Sequence, residues 1–391
     1  MTAVGILGFV LALLVSVVLH EAGHFLFAKK FGMKATQFFV GFGPTLFSRR
    51  KGETEYGLKA VPAGGFVKIV GMTDLEEIDP ADEPRAFYRQ PAGKRVIVLV
   101  AGSLTHFVIA AILLWLALWV GGQVNQDRVV VNTVQTCIAA DSTQPCGSAP
   151  ASPASQLGLL PGDELLAVDG APVTSTTGFR DALANRGPQP VSITWSRDGQ
   201  VRTATTTLQP VTVNGQQVWR LGVGPTNPVE RIGPLTAVAR TPALVGQLAT
   251  GTVDALANFP DKLKTIFSEN RDPAGAVGII GASRAGGDIL SLPDESLGER
   301  VGGFLLLVAG INFFVGVFNL LPLMPLDGGH VAVLLYEQAR HRVRRLRGYR
   351  GEVKRVDLNK LLPATYAVMA IFLVLTLVLA TADIVNPIRI R

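Results

Sequence analysis

The sequence predicts a polytopic α-helical membrane protein with about four transmembrane helices, a membrane-associated β-hairpin and one extracytoplasmic α+β domain. Two observations predict this fold: hydrophobic residues make up 48% of the 391 residues, and long apolar runs alternate with strand-like segments. The predicted order is a first span (1–28), a cytoplasmic-side hairpin and loop (29–95), a second span (96–121), the β-rich domain (122–228), an amphipathic helix and linker (229–300), a third span (301–336), a basic cytoplasmic loop (337–363) and a fourth span (364–383).

The first apolar run is expected to remain in the protein as a span. It is too long for the apolar core of a secretory signal, and no basic segment precedes it. The run contains His20-Glu21-Ala22-Gly23-His24 near its end. On a helix, positions i and i+4 project from one face, so both imidazoles can reach one metal ion, and Glu21 can take a proton from water. Because a carboxylate at membrane depth is costly, we favour a zinc site over a chance match in a surface helix.

Positive charge is concentrated beside the predicted spans, within a net charge of +6. The basic residues follow the first span (Lys29, Lys30, Lys34, Arg49, Arg50, Lys51), precede the second (Arg89, Lys94, Arg95) and follow the third (Arg340, Arg342, Arg344, Arg345, Arg347, Arg350, Lys354, Arg355). The positive-inside rule places both connections in the cytoplasm, with both termini and the 121–300 region outside. Such clusters also occur in RNA-binding proteins, but beside a span they indicate topology or contact with anionic lipid, and we predict no nucleic-acid partner.

Two soluble regions are predicted from their patterns. Residues 32–71 contain two short strand-like runs, Val40–Pro44 and Ala63–Val70, separated by glycine turns, which predicts a β-hairpin at the membrane face. Residues 73–86 read as an acidic loop. Strand-like runs around a helix-like stretch at 177–185 predict the compact β-rich domain, in which Cys137 and Cys146 form either a disulfide or two free thiols.

The segment after this domain is predicted to contain an amphipathic helix. Its pattern extends from Leu235 to Phe267, with Pro242 and Pro260 as expected interruptions. A glycine-rich stretch at 273–287 follows it.

Two histidines do not complete a catalytic zinc site, which usually has three protein ligands. Asp327 is the acidic residue best placed to be the third, because the prolines and glycines around it must break a helix at membrane depth. An ordinary turn that caps a helix is the alternative for Asp327-Gly328-Gly329. His106 and His330 are rival ligands. We expect His106 to support the ligands or the fold, and His330 to be interfacial.

The expected chemistry is hydrolysis of a peptide bond. Zinc lowers the pKa of water from about 15.7 toward 7, and Glu21 accepts the proton and returns it to the leaving amine. Asn319 is the best candidate to donate a hydrogen bond to the oxyanion or to the substrate backbone. A substrate helix must unwind before it is cut, and the hairpin edge could hold it extended by strand addition.

Most of the chain resembles the site-2 protease family of intramembrane zinc metalloproteases (peptidase family M50), in its regulator-of-sigma-E-protease branch. The motifs that carry the resemblance are His-Glu-Ala-Gly-His at 20–24, Val-Gly-Phe-Gly-Pro at 40–44, Pro-Ala-Gly-Gly-Phe-Val-Lys at 62–68, Asn319-x-x-Pro322 and Leu326-Asp327-Gly328. The resemblance implies zinc ligation by His20, His24 and Asp327, catalysis by Glu21, substrate contact by Asn319, and a membrane-associated hairpin at 36–70. Gly64, Gly65 and Phe66 are predicted to contact substrate within that hairpin.

Two further resemblances concern substrates. Residues 152–170 are similar to a circularly permuted bacterial PDZ domain, which this family uses to admit only trimmed substrates. The family's Gly-Pro-x-x-Asn motif is replaced by Gly102-Ser103-Leu104-Thr105-His106, which places His106 in the Asn position. This replacement resembles an actinobacterial subgroup that cleaves anti-sigma factors. The implied partners are the lipid bilayer and single-span membrane proteins such as anti-sigma factors.

A different class of function stays open at this point. A membrane zinc-binding or transport protein without protease activity would carry charged residues in several spans, whereas this sequence has one such cluster. An inactive scaffold would be expected to lose Glu21 or a ligand. We therefore predict a zinc endopeptidase of the plasma (inner) membrane, with both termini and the PDZ domain outside the cell.

Overall fold

A computed structural model of the chain describes residues 2–72, 78–138, 146, 150–184, 186–213, 216–268, 271, 275–293, 295–351, 353 and 355–388. It contains two compact units, one formed by residues 1–121 and 233–391 and the other by residues 122–232. The second unit ends four residues beyond the predicted 122–228 domain.

Four helices in the described part of the chain are long and apolar enough to span a membrane. They are α1 (Thr2–Lys30), α2 (Ala92–Gly121), α8 (Leu297–Asn319) and α10 (Leu362–Val385). Glycines let α2 approach its neighbours closely. A Cβ at Gly23 of α1 would lie 2.7 Å from the Ala101 carbonyl, and one at Gly121 would lie 2.8 Å from the Cα of Gly302. The prediction of a polytopic helical fold with some strands is confirmed.

The predicted third span is two helices. Helix α8 begins with a capping box between Ser296 and Glu299 and ends at Asn319, and α9 (Asp327–Leu346) follows a short non-helical segment. Prolines at 322 and 325 in that segment prevent a continuous helix. Because α9 continues to Leu346, the arginines between 340 and 345 are helical, and the prediction of a loop over 337–363 is wrong for this part.

The region between α1 and α2 forms a longer hairpin than predicted. Strands β1 (Ala35–Lys51) and β2 (Thr54–Ile69) pair along their length, where two short strands were expected. Phe38 pairs with both Val67 and Tyr56, so the inner half of β1 lies between two parts of β2. The resulting order of segments is 65–69, 35–40, 54–59 and 45–51. Residues 73–77 of the expected acidic loop lie outside the described residues, and 3-10 turns occupy 83–85 and 87–89.

The described part of the segment between the second unit and α8 contains three helices: α5 (Pro234–Ala257), α6 (Phe259–Lys264) and α7 (Ile279–Ile289). Pro242 lies inside α5, so the expectation that it interrupts the helix is wrong. Proline removes one hydrogen bond of the helix, and α5 continues through this position while it packs against α2. The helix ends instead at Ala257, and Pro260 lies in the first turn of α6, where its missing N–H costs nothing.

A buried carboxylate joins α7 to α10. Asp383 of α10 is 1% exposed and accepts hydrogen bonds from the backbone of Gly278 (3.0 Å) and Gly281 (2.7 Å) at the start of α7. Its other oxygen accepts from the Arg271 guanidinium at 2.9 Å. An acidic group at a helix N-terminus is favourable because unpaired amides converge there, so Asp383 fixes the last span to this linker.

The second unit has its own core and a six-stranded sheet in the order β11, β4, β5, β7, β8, with β6 paired to β5. Its elements are β3 (Gln123–Val124), β4 (Val130–Val134), α3 (Pro153–Gln156), β5 (Glu164–Val168), β6 (Ala171–Pro172), α4 (Thr176–Ala184), β7 (Pro190–Arg197), β8 (Gln200–Thr207), β9 (Gln209–Val213), β10 (Gln216–Arg220), β11 (Val223–Thr226) and β12 (Val229–Glu230). Phe179 of α4 packs onto the sheet with Leu165 and Ile193. Cys137 and Cys146 form a disulfide.

A charged pair holds the turn before β5. Asp163 is 2% exposed, and the Arg197 guanidinium donates to both of its oxygens at 2.7 and 2.6 Å. The Leu160 amide donates to the same carboxylate at 2.8 Å. Burial acts to raise the pKa of Asp163, but these hydrogen bonds outweigh it and lower that pKa.

Candidate active site

The two histidines of the pentapeptide face each other in the last turns of α1. His20 and His24 are buried, at 8% and 4% exposure, and their Nε2 atoms lie 3.1 Å apart. Both Nε2 atoms converge on the same point between the two rings. The arrangement is that of ligands sharing a cation.

Asp327, the first residue of α9, completes this cluster. Its Oδ2 lies 3.3 Å from Nε2 of His20 and 3.4 Å from Nε2 of His24, and it is buried without a hydrogen-bond donor among the described residues. At metal–ligand distances of about 2.0–2.1 Å, ligand atoms of a tetrahedral zinc site lie about 3.3 Å apart. The three observed separations fit that geometry. Across the described chain, these three residues form the one group with the ligand types and spacing for a metal.

The tautomer of His24 is set by α2. Its Nδ1 donates a hydrogen bond to the backbone carbonyl of Val98 at 2.7 Å. The lone pair of Nε2 is therefore directed at the cluster, as in many zinc sites where the second ring nitrogen holds a carbonyl. Gly102, one turn further along α2, lies directly against the pair. A Cβ there would stand 2.4 Å from Nε2 of His24.

Glu21 lies on the other side, against the hairpin. A Cβ at Gly65 would lie 3.4 Å from Cγ of Glu21, and the Val67 amide is close enough to interact with the carboxylate. The segment 65–69 is the end segment of the small sheet, so it runs beside the proton-accepting group. Of the three predicted hairpin contacts, Gly65 is adjacent to Glu21, whereas Gly64 faces the Phe42 ring and Phe66 stacks on Phe39 and Phe42.

His106 is buried next to the cluster. Its ring centroid is 5.0 Å from that of His20, and its Nδ1 is 2.9 Å from Oδ1 of Asn312 on α8. The Asn312 amide nitrogen donates to the Val308 carbonyl at 2.9 Å, which fixes the amide so that its oxygen accepts from His106. The structure therefore places His106 behind the ligands, with Asn312 as its partner.

The remaining predicted residues lie at the break in the third span. Asn319 is half-buried and is the last residue of α8. His330 is outside the ligand cluster and lines a separate cavity with Arg95, Leu99 and Glu337. Sequence reasoning missed Gly102 and Asn312. Each lies in an apolar helix, and the only signal was the small or polar residue type at membrane depth.

A His-Glu-x-x-His helix and an acidic ligand lie against α2, in a chain with four helices long and apolar enough to span a membrane, and together they define a membrane metallohydrolase. Residues 8–352 match the model of Peptidase family M50. The chain is 39% identical to zinc metalloprotease Rip1 of Mycobacterium tuberculosis over 422 positions, covering 100% of this chain and 99% of the relative. It is 38% identical to zinc metalloprotease Rip1 of Mycolicibacterium smegmatis, with the same coverage. A putative zinc metalloprotease of Rhizobium meliloti is 30% identical over 85% of this chain and 86% of its own length.

The chain therefore belongs to peptidase family M50, the site-2 protease family. It is a multi-pass membrane zinc metalloprotease whose cofactor is Zn²⁺. The resemblance seen in the sequence motifs is confirmed. A zinc-binding or transport protein without protease activity is not favoured by any of these relatives.

Proposed function

We propose that this protein is an intramembrane endopeptidase that cleaves single-span membrane proteins, with anti-sigma factors as the substrate class, in the second cut of regulated proteolysis. One observation carries the proposal. The three ligand atoms of His20, His24 and Asp327 converge beside Glu21 within apolar helices, and a sheet edge runs past the same carboxylate. This combination suits a substrate that arrives from the bilayer.

The protein groups have distinct roles in the proposed reaction. His20, His24 and Asp327 hold the metal, which when bound acts as a Lewis acid on the scissile carbonyl and on water. Glu21 accepts the proton of the attacking water and delivers it to the leaving nitrogen. The apolar surroundings exclude bulk water. They also strengthen the electrostatic interactions of the metal and of Glu21 with the substrate.

The hairpin presents the substrate in an extended form. A helix cannot be cut while its carbonyls are held in intrahelical hydrogen bonds, so the substrate must unwind at the site. The segment 65–69 offers backbone groups for strand addition, and Gly65 brings this segment into contact distance of Glu21. Asn319, at the end of α8, is the proposed donor to the substrate backbone or the oxyanion.

The second unit is proposed to be the PDZ domain, located outside the cell as a size filter for trimmed substrates. In support, β11 near the end of the unit pairs with β4 near its start, which brings the two ends of the domain together in one sheet. The basic residues beside the spans support a plasma-membrane topology with both termini outside.

The test is Glu21→Gln in the full-length protein, assayed on a single-span reporter in proteoliposomes. Glutamine keeps the shape of the side chain but cannot accept a proton, so we expect cleavage to fall by about 10²–10⁴-fold. Bound zinc, measured by elemental analysis, should stay at the wild-type ratio. Undiminished cleavage by the variant would refute the proposed mechanism, and cleavage of only soluble peptides would refute the intramembrane role.

A further inference from the structure

The outward face of α9 carries an exposed apolar stripe. Leu335, Ala339, Val343 and Leu346 are spaced four, four and three residues apart, which places them on one side of the helix. Leu335, Val343 and Leu346 are 56%, 48% and 89% exposed. Helix α9 is not among the four span candidates, so these side chains are exposed without belonging to a span.

Arginines border this α9 apolar stripe. Arg342, Arg344, Arg345 and Arg347 are all exposed, and within the described residues none of them forms an ion pair with an acidic side chain. The acidic residues of α9 are Asp327 and Glu337. Both face inward: Asp327 is in the metal cluster, and Glu337 is 3% exposed and accepts a hydrogen bond from the Val356 amide at 2.6 Å. Neither acidic side chain of α9 therefore lies on its outer face, where the helix itself contributes arginines.

Aromatic rings accompany these charges. The Arg340 guanidinium lies 5.4 Å from the centroid of the Tyr336 ring, and that of Arg344 lies 5.8 Å from the Tyr349 ring. Tyr336 and Tyr349 are 57% and 42% exposed. Tyrosines with an apolar body and a polar tip are typical of the boundary between lipid and water.

The chain keeps α9 at the membrane. Seven residues separate the end of α8 at Asn319 from the start of α9 at Asp327, and α10 begins at Leu362 after α9 ends at Leu346. The inner face is already occupied, since Leu334 packs in a core with Ala28 and Leu99. The α9 apolar stripe and its arginines therefore form the exposed face of the helix.

We propose that the outer face of α9 binds the anionic phospholipid surface of the leaflet beside which α9 lies. The apolar stripe enters the boundary between headgroups and acyl chains, and the flanking guanidinium groups bind lipid phosphates. An amphipathic helix with arginines on its polar side is the kind that binds such surfaces. Since Asp327 is the first residue of the same helix, lipid contact also holds the end of α9 that carries this carboxylate. The binding does not depend on the protease activity proposed above.

The experiment places a fluorescent probe in the stripe. Both cysteines of the chain are in the disulfide, so Val343→Cys provides one labelling site for an environment-sensitive dye. The labelled full-length protein is reconstituted in nanodiscs of phosphatidylcholine, with or without phosphatidylglycerol, each with brominated acyl chains as quencher. We expect strong quenching with phosphatidylglycerol and weak quenching without it.

Variants that remove arginines distinguish binding to anionic lipid from burial of the probe that does not depend on charge. Each arginine near an anionic surface changes partitioning about fivefold, so Arg342→Gln/Arg345→Gln should lower the ratio of docked to undocked α9 on the order of 25-fold. Arg180→Gln/Arg202→Gln, with the same loss of charge at exposed positions of the 122–232 unit, should leave quenching unchanged. Equal quenching in the two bilayers overturns the proposal. An unquenched probe in both also overturns it, and would assign the basic face to a soluble acidic partner.

Discussion

Gly102 lies against His24 so closely that a methyl group at position 102 would stand 2.4 Å from the histidine Nε2. The same methyl group would be 2.7 Å from Nε2 of His20. Both distances are far below van der Waals contact, and both involve the atoms that face Asp327. Helix α2 thus shapes the metal site through the absence of a side chain as well as through the Val98 carbonyl.

Gly102→Ala should lower zinc affinity without unfolding the protein. The added methyl group must displace an imidazole, and errors in ligand orientation typically reduce metal affinity by about 10–100-fold. Zinc retained after dialysis against graded chelator measures the effect. Gly93→Ala is the matched control, because Gly93 is on the same helix and has nothing within 4 Å of its Cβ position. Equal zinc retention in the two variants would contradict the geometry.

Asp327→Asn should remove most of the bound zinc. The amide has no negative charge and is a poor zinc ligand, so we expect affinity to fall by about tenfold or more. His330→Ala, three residues along α9 and outside the cluster, should keep zinc at the wild-type ratio. If the alanine variant loses zinc while the asparagine variant keeps it, His330 is the third ligand.

The hairpin turn is tied to α1 by an ion pair with a defined pH dependence. Arg85 donates to both Glu53 oxygens at 2.7 and 2.9 Å, and Lys29 donates at 2.6 Å. These contacts, that with Arg85 first, lower the pKa of Glu53 from 4.5 to about 2. Because the folded pKa is the lower one, this stabilisation is complete above about pH 4.5 and is lost as the pH falls toward 2.

Glu53→Gln should therefore be less stable than wild type at neutral pH by about 1 kcal/mol, as is typical of partly exposed pairs. The difference in melting temperature, measured in detergent at a series of pH values, should shrink below pH 4.5. Arg85→Gln should behave similarly, since it removes the two-point contact. A difference that stays constant across the acid range would show that the contact does not form.

Local sequence patterns predicted the elements of the fold and the histidine pair, whereas most contacts between residues distant in sequence were not predicted. The histidine pair follows from helical spacing, and the break before Asp327 follows from Pro322 and Pro325. The first strand-like run was predicted over Val40–Pro44, whereas β1 extends from Ala35 to Lys51 and contains Gly41 and Gly43. Both have positive φ, 88° and 85°, and bend β1 without ending it.

Residues that other helices contribute around the metal site could not be predicted from local sequence patterns. Gly102 and Asn312 matter only because α2 packs between α1 and α8, an arrangement that no local pattern encodes.

His106 and Asn312 should act as a unit that supports the ligand His20. Their hydrogen bond is 2.9 Å long and buried, and it joins α2 to α8 beside the His20 ring. Removing one partner leaves the other buried and unsatisfied, at a cost of about 1–3 kcal/mol, whereas removing both costs less than the sum. His106→Ala, Asn312→Ala and the double variant, compared by thermal unfolding of the zinc-loaded protein, measure this coupling. All three should bind zinc at the wild-type ratio because neither residue is within the ligand cluster. Additive losses of stability would contradict the coupling, and loss of zinc from the His106 variant alone would make His106 a ligand.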